Sequence, residues 1–162
     1  MCEIIKVGMA DMKTCTAPDS LTTLGLGSCV GVALYDPVSK VSGLLHLMLP
    51  DSTKIKNNQN KAKFADTGIV ELYEEMRKKG ALSGRIVAKI AGGAQMFSYG
   101  AGNNDIMSVG KKNVEATKQM LNKLNIRLLA EDTGLNYGRT IIFDSRTGKL
   151  KIRAVGKDET MI

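Results

Sequence analysis

One hairpin constrains this chain more than any other feature. Residues 29–35 set Val30, Val32 and Leu34 on one side of a strand, and residues 41–49 are apolar on both sides. Between them stands Asp36-Pro37-Val38-Ser39, a turn signal, because Asp bonds its own backbone and Pro presets φ. A strand that is apolar on both faces needs cover on both faces, so it belongs in the middle of a layered structure.

The rest of the chain supplies the layers. Further strands are expected over residues 3–9, 21–26, 86–91, 126–131, 140–144 and 149–155, the last two joined by a turn over 145–148. Residues 61–79 carry Phe64, Ile69, Leu72 and Met76 at helical spacing, with Gly80 as the stop. A second helix is expected from about 111 to 124, with Val114, Thr117, Leu121 and Leu124 on one stripe. The polar residues 50–60 read as a mobile loop. Strands outnumber helices, so the class is α+β, with much antiparallel pairing, in one domain spanning 1–162. A chain of 162 residues with 43% apolar content buries roughly 70% of its unfolded surface and needs no staple.

Composition excludes several functions. Aromatics make up 4% of the chain and Trp is absent, which removes the stacking platform used on single-stranded nucleic acid. The net charge of +7 includes the clusters Lys54-Ile55-Lys56 and Arg77-Lys78-Lys79, but no recognised binding motif accompanies them. They read as solvated faces, and no nucleic-acid partner is expected. The excess instead favours an acidic protein partner. No apolar run approaches the ~18 residues of a spanning helix, so no membrane insertion is expected. Glu3, Lys6, Asp11 and Lys13 leave no signal-peptide core, which points to a cytoplasmic protein. The three cysteines (Cys2, Cys15, Cys29) form no Cys-x-x-Cys pair and read as free thiols, and with the single His46 they lack metal-ligand spacing. Neither metal nor cofactor is expected.

The hairpin also brings chemistry together. With the four-residue loop Asp36–Ser39, Tyr35 pairs with Lys40 and, counting outward, Cys29 pairs with His46. Opposed residues share a face, whereas a one-residue slip would separate them. A neighbouring imidazole can take the thiol proton and generate the thiolate that attacks carbonyl carbon. Cys29 follows Gly25-Leu26-Gly27-Ser28, a loop whose backbone N–H groups, near Gly27 and Ser28, would stabilise an oxyanion. Thr23, just before that loop, offers a hydroxyl to orient the imidazole. On spacing alone the blander reading stays open: a buried core cysteine, a core histidine and a strand threonine.

A resemblance weighs in here. Leu24-Gly25-Leu26-Gly27-Ser28-Cys29-Val30, Leu34-Tyr35-Asp36-Pro37 and His46-Leu47-Met48-Leu49-Pro50 are similar to the signature of the CheD family, the chemoreceptor glutamine deamidases of bacterial chemotaxis. The likeness continues through Lys63-Phe64-Ala65-Asp66, residues 88–94 with Met96-Phe97, residues 110–116, Glu131-Asp132-Thr133-Gly134 and Gly138-Arg139. It covers roughly residues 5–155. It departs at Gly134-Leu135, where paired glycines are expected.

The resemblance implies a layered α/β sandwich with largely antiparallel or mixed sheets flanked by two main helices, like the catalytic domain of cytotoxic necrotizing factor. It implies Cys29 as nucleophile, His46 as general base and Thr23 as the residue that orients it. The implied reaction converts receptor glutamine to glutamate and ammonia, and the same steps would hydrolyse receptor methyl esters. It also implies methyl-accepting chemoreceptor cytoplasmic helices and a CheC-type phosphatase as partners. The alternative is a chain that is chiefly a regulator of that phosphatase, with little deamidase activity.

Overall fold

The computed structural model describes residues 2–96 and 109–162. Phe97, the second member of the Met96-Phe97 match, lies outside the described residues. Among the described residues, ten strands form two five-stranded sheets. One has the order β1 (Ile4–Lys6), β3 (Ser20–Leu26), β8 (Arg139–Asp144), β9 (Lys149–Arg153), β10 (Thr160–Met161). The other has the order β2 (Met12–Thr16), β5 (Val41–Leu47), β4 (Val30–Asp36), β6 (Val87–Gly92), β7 (Arg127–Thr133). Only β1–β3 and β6–β7 are parallel; the other pairs are antiparallel. Helices α1 (Ala65–Lys78) and α2 (Val109–Lys123) both pack on the second sheet. The class is therefore α+β, layered helix, sheet, sheet.

Side-chain alternation divides the core in two. Val30, Val32 and Leu34 of β4 and Val41, Leu45 and Leu47 of β5 face the helices and pack with Ile69, Leu72, Met76 and Val114. Ala33, Tyr35 and Leu44 face the first sheet and pack with Leu21, Ile141, Phe143 and Leu150. Every residue of β4 and β5 is buried, as a hairpin apolar on both faces requires.

The hairpin turn differs from its expected form. Asp36 pairs with Val41, so the loop is Pro37–Lys40, of the expected length but one residue further along. The Asp36 carboxylate accepts from Val38 and Ser39 N–H, its carbonyl accepts from Lys40 N–H, and Lys40 closes the turn at φ 62. Arg85, far away in sequence, grips the same carboxylate at 2.7 Å and keeps Asp36 in the strand. The ladder therefore slips by two residues: His46 stands opposite Gly31, not opposite Cys29. A slip of two preserves the face.

Other differences have local causes. Strand β2 was not expected, because its sequence Met-Lys-Thr-Cys-Thr is mostly polar; it forms an edge against β5. The short β10 was likewise not expected. Helix α1 begins at Ala65 because Phe64, fully buried, takes an extended conformation and bridges Leu49; residues Lys61–Lys63 form a separate 3₁₀ turn capped by Asn60. The supposed mobile loop contains the 3₁₀ turn Ser52–Lys54, pinned where Ser52 donates to Asp66 through its N–H (3.0 Å) and hydroxyl (2.7 Å). Among the described residues, no helix is long and apolar enough to cross a membrane.

Candidate active site

The slot between the two sheets holds three of the residues singled out from sequence. Thr23 lies on β3 with Leu21, whose side chain is part of the inter-sheet core. His46 lies on β5, two residues from Leu44 and on the same face. Cys29 enters that core from the loop before β4. Thr23 and His46 are almost wholly buried and Cys29 is 9% exposed. Cys2 is exposed, and Cys15 is buried elsewhere against the Ser145 hydroxyl, so neither joins the group.

Hydrogen bonds fix the tautomer of the histidine. Thr23 Oγ1 is 2.7 Å from His46 Nδ1 and donates to the Val7 carbonyl at 2.7 Å. A hydroxyl has one proton, and a carbonyl can only accept. The Thr23 proton therefore goes to Val7, and Nδ1–H donates to Thr23. His46 Nε2 then carries the lone pair; it is buried and has no hydrogen-bond partner among the described residues. It makes no hydrogen bond to Cys29 Sγ.

Burial sets the protonation states. It pushes the Cys29 thiol above its ordinary value, with the residue's own backbone N–H pulling back less. It pushes the His46 imidazole below its ordinary value. Both directions favour a neutral thiol beside a neutral imidazole over a thiolate–imidazolium pair.

The loop Gly25–Cys29 is held by its carbonyls. A bulge interrupts the β3–β8 ladder between Thr23 and Leu26, and Gly25 takes φ 68 there. Ala94 N–H donates to Gly27 O and Gly93 N–H to Cys29 O, each at 2.8 Å. Asn113 of α2 donates from Nδ2 to Ser28 O at 2.9 Å. This approach depends on Gly92, where a Cβ would lie 2.4 Å from Cys29 O, and on Gly110, where one would lie 2.3 Å from Ala94 O. Gly27 N–H donates to Gly25 O, whereas among the described residues the Ser28 and Cys29 N–H groups donate to no backbone carbonyl outside the ladders. The sequence reading gave Asn113 and the Val7 carbonyl no role; both reach the site only through tertiary packing.

The Gly134-Leu135 departure also lies near this junction. Gly134 N–H donates to Gly92 O, Leu135 O accepts from Gln95 N–H, and both residues have positive φ, 80 and 61. Buried Arg139 holds the segment through Asp132 and Gly134 O, each at 3.0 Å. Leu135 thus occupies a backbone conformation that favours glycine. Among the described residues, no cluster of His, Cys, Asp and Glu is arranged to hold a metal ion.

Comparison with known proteins identifies the family. The family model described as CheD chemotactic sensory transduction matches residues 48–154. A probable chemoreceptor glutamine deamidase CheD from Lachnoclostridium phytofermentans is 63% identical over 162 residues, covering all of both chains. That of Caldanaerobacter subterraneus subsp. tengcongensis is 58% identical over 154 residues, covering 95% of this chain and 94% of its own. The chemoreceptor glutamine deamidase CheD of Halalkalibacterium halodurans is 50% identical over 163 residues, covering all of both chains. Among solved structures, the Bacillus licheniformis hypothetical protein YfiH aligns with a TM-score of 0.43 and 17% identity over 72% of this chain; the chain spans 47% of its length. With relatives of this identity matched from end to end, the chain belongs to the CheD family.

Proposed function

We propose that this chain is a cytoplasmic, single-domain enzyme that hydrolyses glutamine side chains of chemoreceptors to glutamate, with Cys29 as nucleophile, His46 as general base and Thr23 as the residue that orients it. The observation that carries the reading is the lone pair on His46 Nε2, buried without a partner among the described residues on the inter-sheet face that Cys29 shares. The names of the relatives supply the substrate class.

The chemistry runs in two halves. His46 Nε2 takes the Cys29 thiol proton as the sulfur attacks the carboxamide carbon, and the carbonyl oxygen becomes an oxyanion facing backbone donors of the loop. The C–N bond breaks, His46 Nε2–H protonates the departing nitrogen, and ammonia leaves a thioester. His46 then takes a proton from water, hydroxide adds to the thioester carbon, and the thiolate leaves and recovers its proton. The resting pair is neutral, so charge separates only when substrate is present. A receptor methyl ester would follow the same path with methanol as leaving group.

Two partners fit the reading, a receptor cytoplasmic helix as substrate and a CheC-type phosphatase as a protein it regulates. The complete Cys29–His46–Thr23 set favours an enzyme over a regulator alone. The test is mass spectrometry of a chemoreceptor cytoplasmic fragment incubated with the protein. Each converted glutamine gains about 1 Da as –NH₂ becomes –OH. No gain with wild-type protein, or the same gain with Cys29→Ala, overturns the reading.

A further inference from the structure

Asn113 is a fully buried polar side chain that belongs to neither the reacting trio nor the nucleophile loop. Its Nδ2 donates to two carbonyls, Ser28 O and Met48 O, both at 2.9 Å. Both partners can only accept, so the orientation of the amide is fixed. Its Oδ1 is buried and has no partner among the described residues. An orphaned buried acceptor costs free energy, and such groups call for an explanation. Here it comes from where the two carbonyls stand. The last ladder pair of the hairpin is Val30↔Leu47. One residue beyond Leu47 is Met48, and two before Val30 is Ser28. Where the strands stop bonding to each other, both bond to Asn113.

The Ser28–Cys29 peptide is trans; among the described residues only Ala17–Pro18 is cis. In a trans peptide the C=O and N–H point in opposite directions. Fixing Ser28 O toward α2 therefore turns Cys29 N–H away from α2. That N–H donates to no described backbone carbonyl outside the ladders. The next carbonyl, Cys29 O, is fixed separately by Gly93 N–H.

We propose that Asn113 is a positioning residue of the reaction: by holding the Ser28 carbonyl it aims the Cys29 N–H at the oxyanion formed on the substrate carboxamide. The proposal rests on the assignment of Cys29 as nucleophile. Asn113 touches neither substrate nor sulfur; it acts through one peptide plane.

Two reactions of the same sulfur separate this role from a merely structural one. Deamidation passes through an oxyanion. Alkylation of Cys29 by iodoacetamide displaces iodide at a saturated carbon and forms none. Asn113→Leu keeps about the same volume and removes both donors. Single-turnover deamidation of a receptor fragment should fall by about 100-fold, the scale of losing an oxyanion donor, while Cys29 alkylation, read by peptide mass spectrometry, should stay within about threefold. Asn113→Ala, which also lacks the donors, serves if the Leu variant does not fold, with thermal melting as the check. Equal losses in both reactions would mean that Asn113 supports the fold or the dyad, and overturn the proposal. Unchanged deamidation in a folded variant would overturn it as well. Wild-type and Cys29→Ala proteins run beside them: if the first is inactive or the second active, it is the nucleophile assignment that fails.

Discussion

Thr23 Oγ1 stands 2.7 Å from His46 Nδ1 and spends its only proton on the carbonyl of Val7. The hydroxyl thereby acts toward the imidazole as an acceptor. Thr23→Ser keeps that acceptor and should retain most activity. Thr23→Val keeps the shape but strands both Nδ1–H and the Val7 carbonyl. It should lower the rate by tenfold to a few hundredfold, since misplacing a catalytic group by ~1 Å alone costs ~100-fold. Single-turnover deamidation by the two folded variants is the comparison. Equal activity would reduce Thr23 to a strand residue.

The three cysteines should behave differently. Cys29→Ala should abolish deamidation with the fold intact, because it removes the nucleophile and little volume. Cys2→Ala and Cys15→Ala should stay active, though loss of the contact between Cys15 and Ser145 (3.1 Å) should cost about 0.5–1.5 kcal/mol in urea unfolding. An inactive but folded Cys15→Ala protein beside an active Cys29→Ala protein would reverse the assignment.

The proposed base, His46, must be neutral to work. Burial lowers the His46 pKa, so the acid limb of kcat/KM should lie below the ~6.5 of a free imidazole. Stability should follow the same sign. As pH falls through ~6.5, the unfolded chain binds the His46 proton before the folded one does, and folding weakens until the folded pKa is passed. A pH series of activity and urea midpoints checks both. An acid limb centred above 7 would mean that His46 is charged at rest.

Asp36 fixes the hairpin register. Burial would raise its pKa, but Arg85 and the N–H groups of Leu82 and Val38 outweigh that and hold it far below the usual carboxylate range. The stability it supplies is present above ~3.9 and is lost as pH falls toward the folded value. Arg85→Ala should cost about 3–5 kcal/mol, because it leaves the buried Asp36 carboxylate without its partner, and Asp36→Ala should cost less, because Arg85 is partly exposed. Thermal melting of Asp36→Ala and Arg85→Ala reads this; a change below 1 kcal/mol or so in Arg85→Ala, the scale of an exposed pair, would contradict it.

Leu135 at φ 61 should yield to glycine. Relief of left-handed strain is worth about 1–2 kcal/mol and the added freedom of glycine in the unfolded chain takes back about 0.5–1, so Leu135→Gly should raise the melting temperature by a few degrees. A fall would mean that the exposed leucine makes a contact worth more than the strain.

Much of this was legible in the sequence, for a physical reason. Alternation in residues 29–49 identifies the buried hairpin, and its parity survives a slip of two, so Cys29 and His46 share a face although they are not paired. The slip itself was not legible, because Arg85 decides it from another part of the chain. Strand β2 was missed because an edge strand buries little. Gly134-Leu135 stood out as a departure, and the positive φ at both positions explains why glycines were expected there. Asn113 gave no signal of its own, since one asparagine in a polar helix start resembles any other until its carbonyl partners are known.

The consecutive carbonyls of Gly27, Ser28 and Cys29 are each received by a different donor, from Ala94, Asn113 and Gly93. None of those donors belongs to the hairpin. The smallest transplantable version of this site is therefore a composite. A designer who moved residues 23–49 into another scaffold would carry over the thiol, the imidazole and the hydroxyl, yet leave behind the donors that hold the loop carrying the thiol. The graft would also need the β6–α2 junction, whose crossing is open only to glycine at positions 92 and 110.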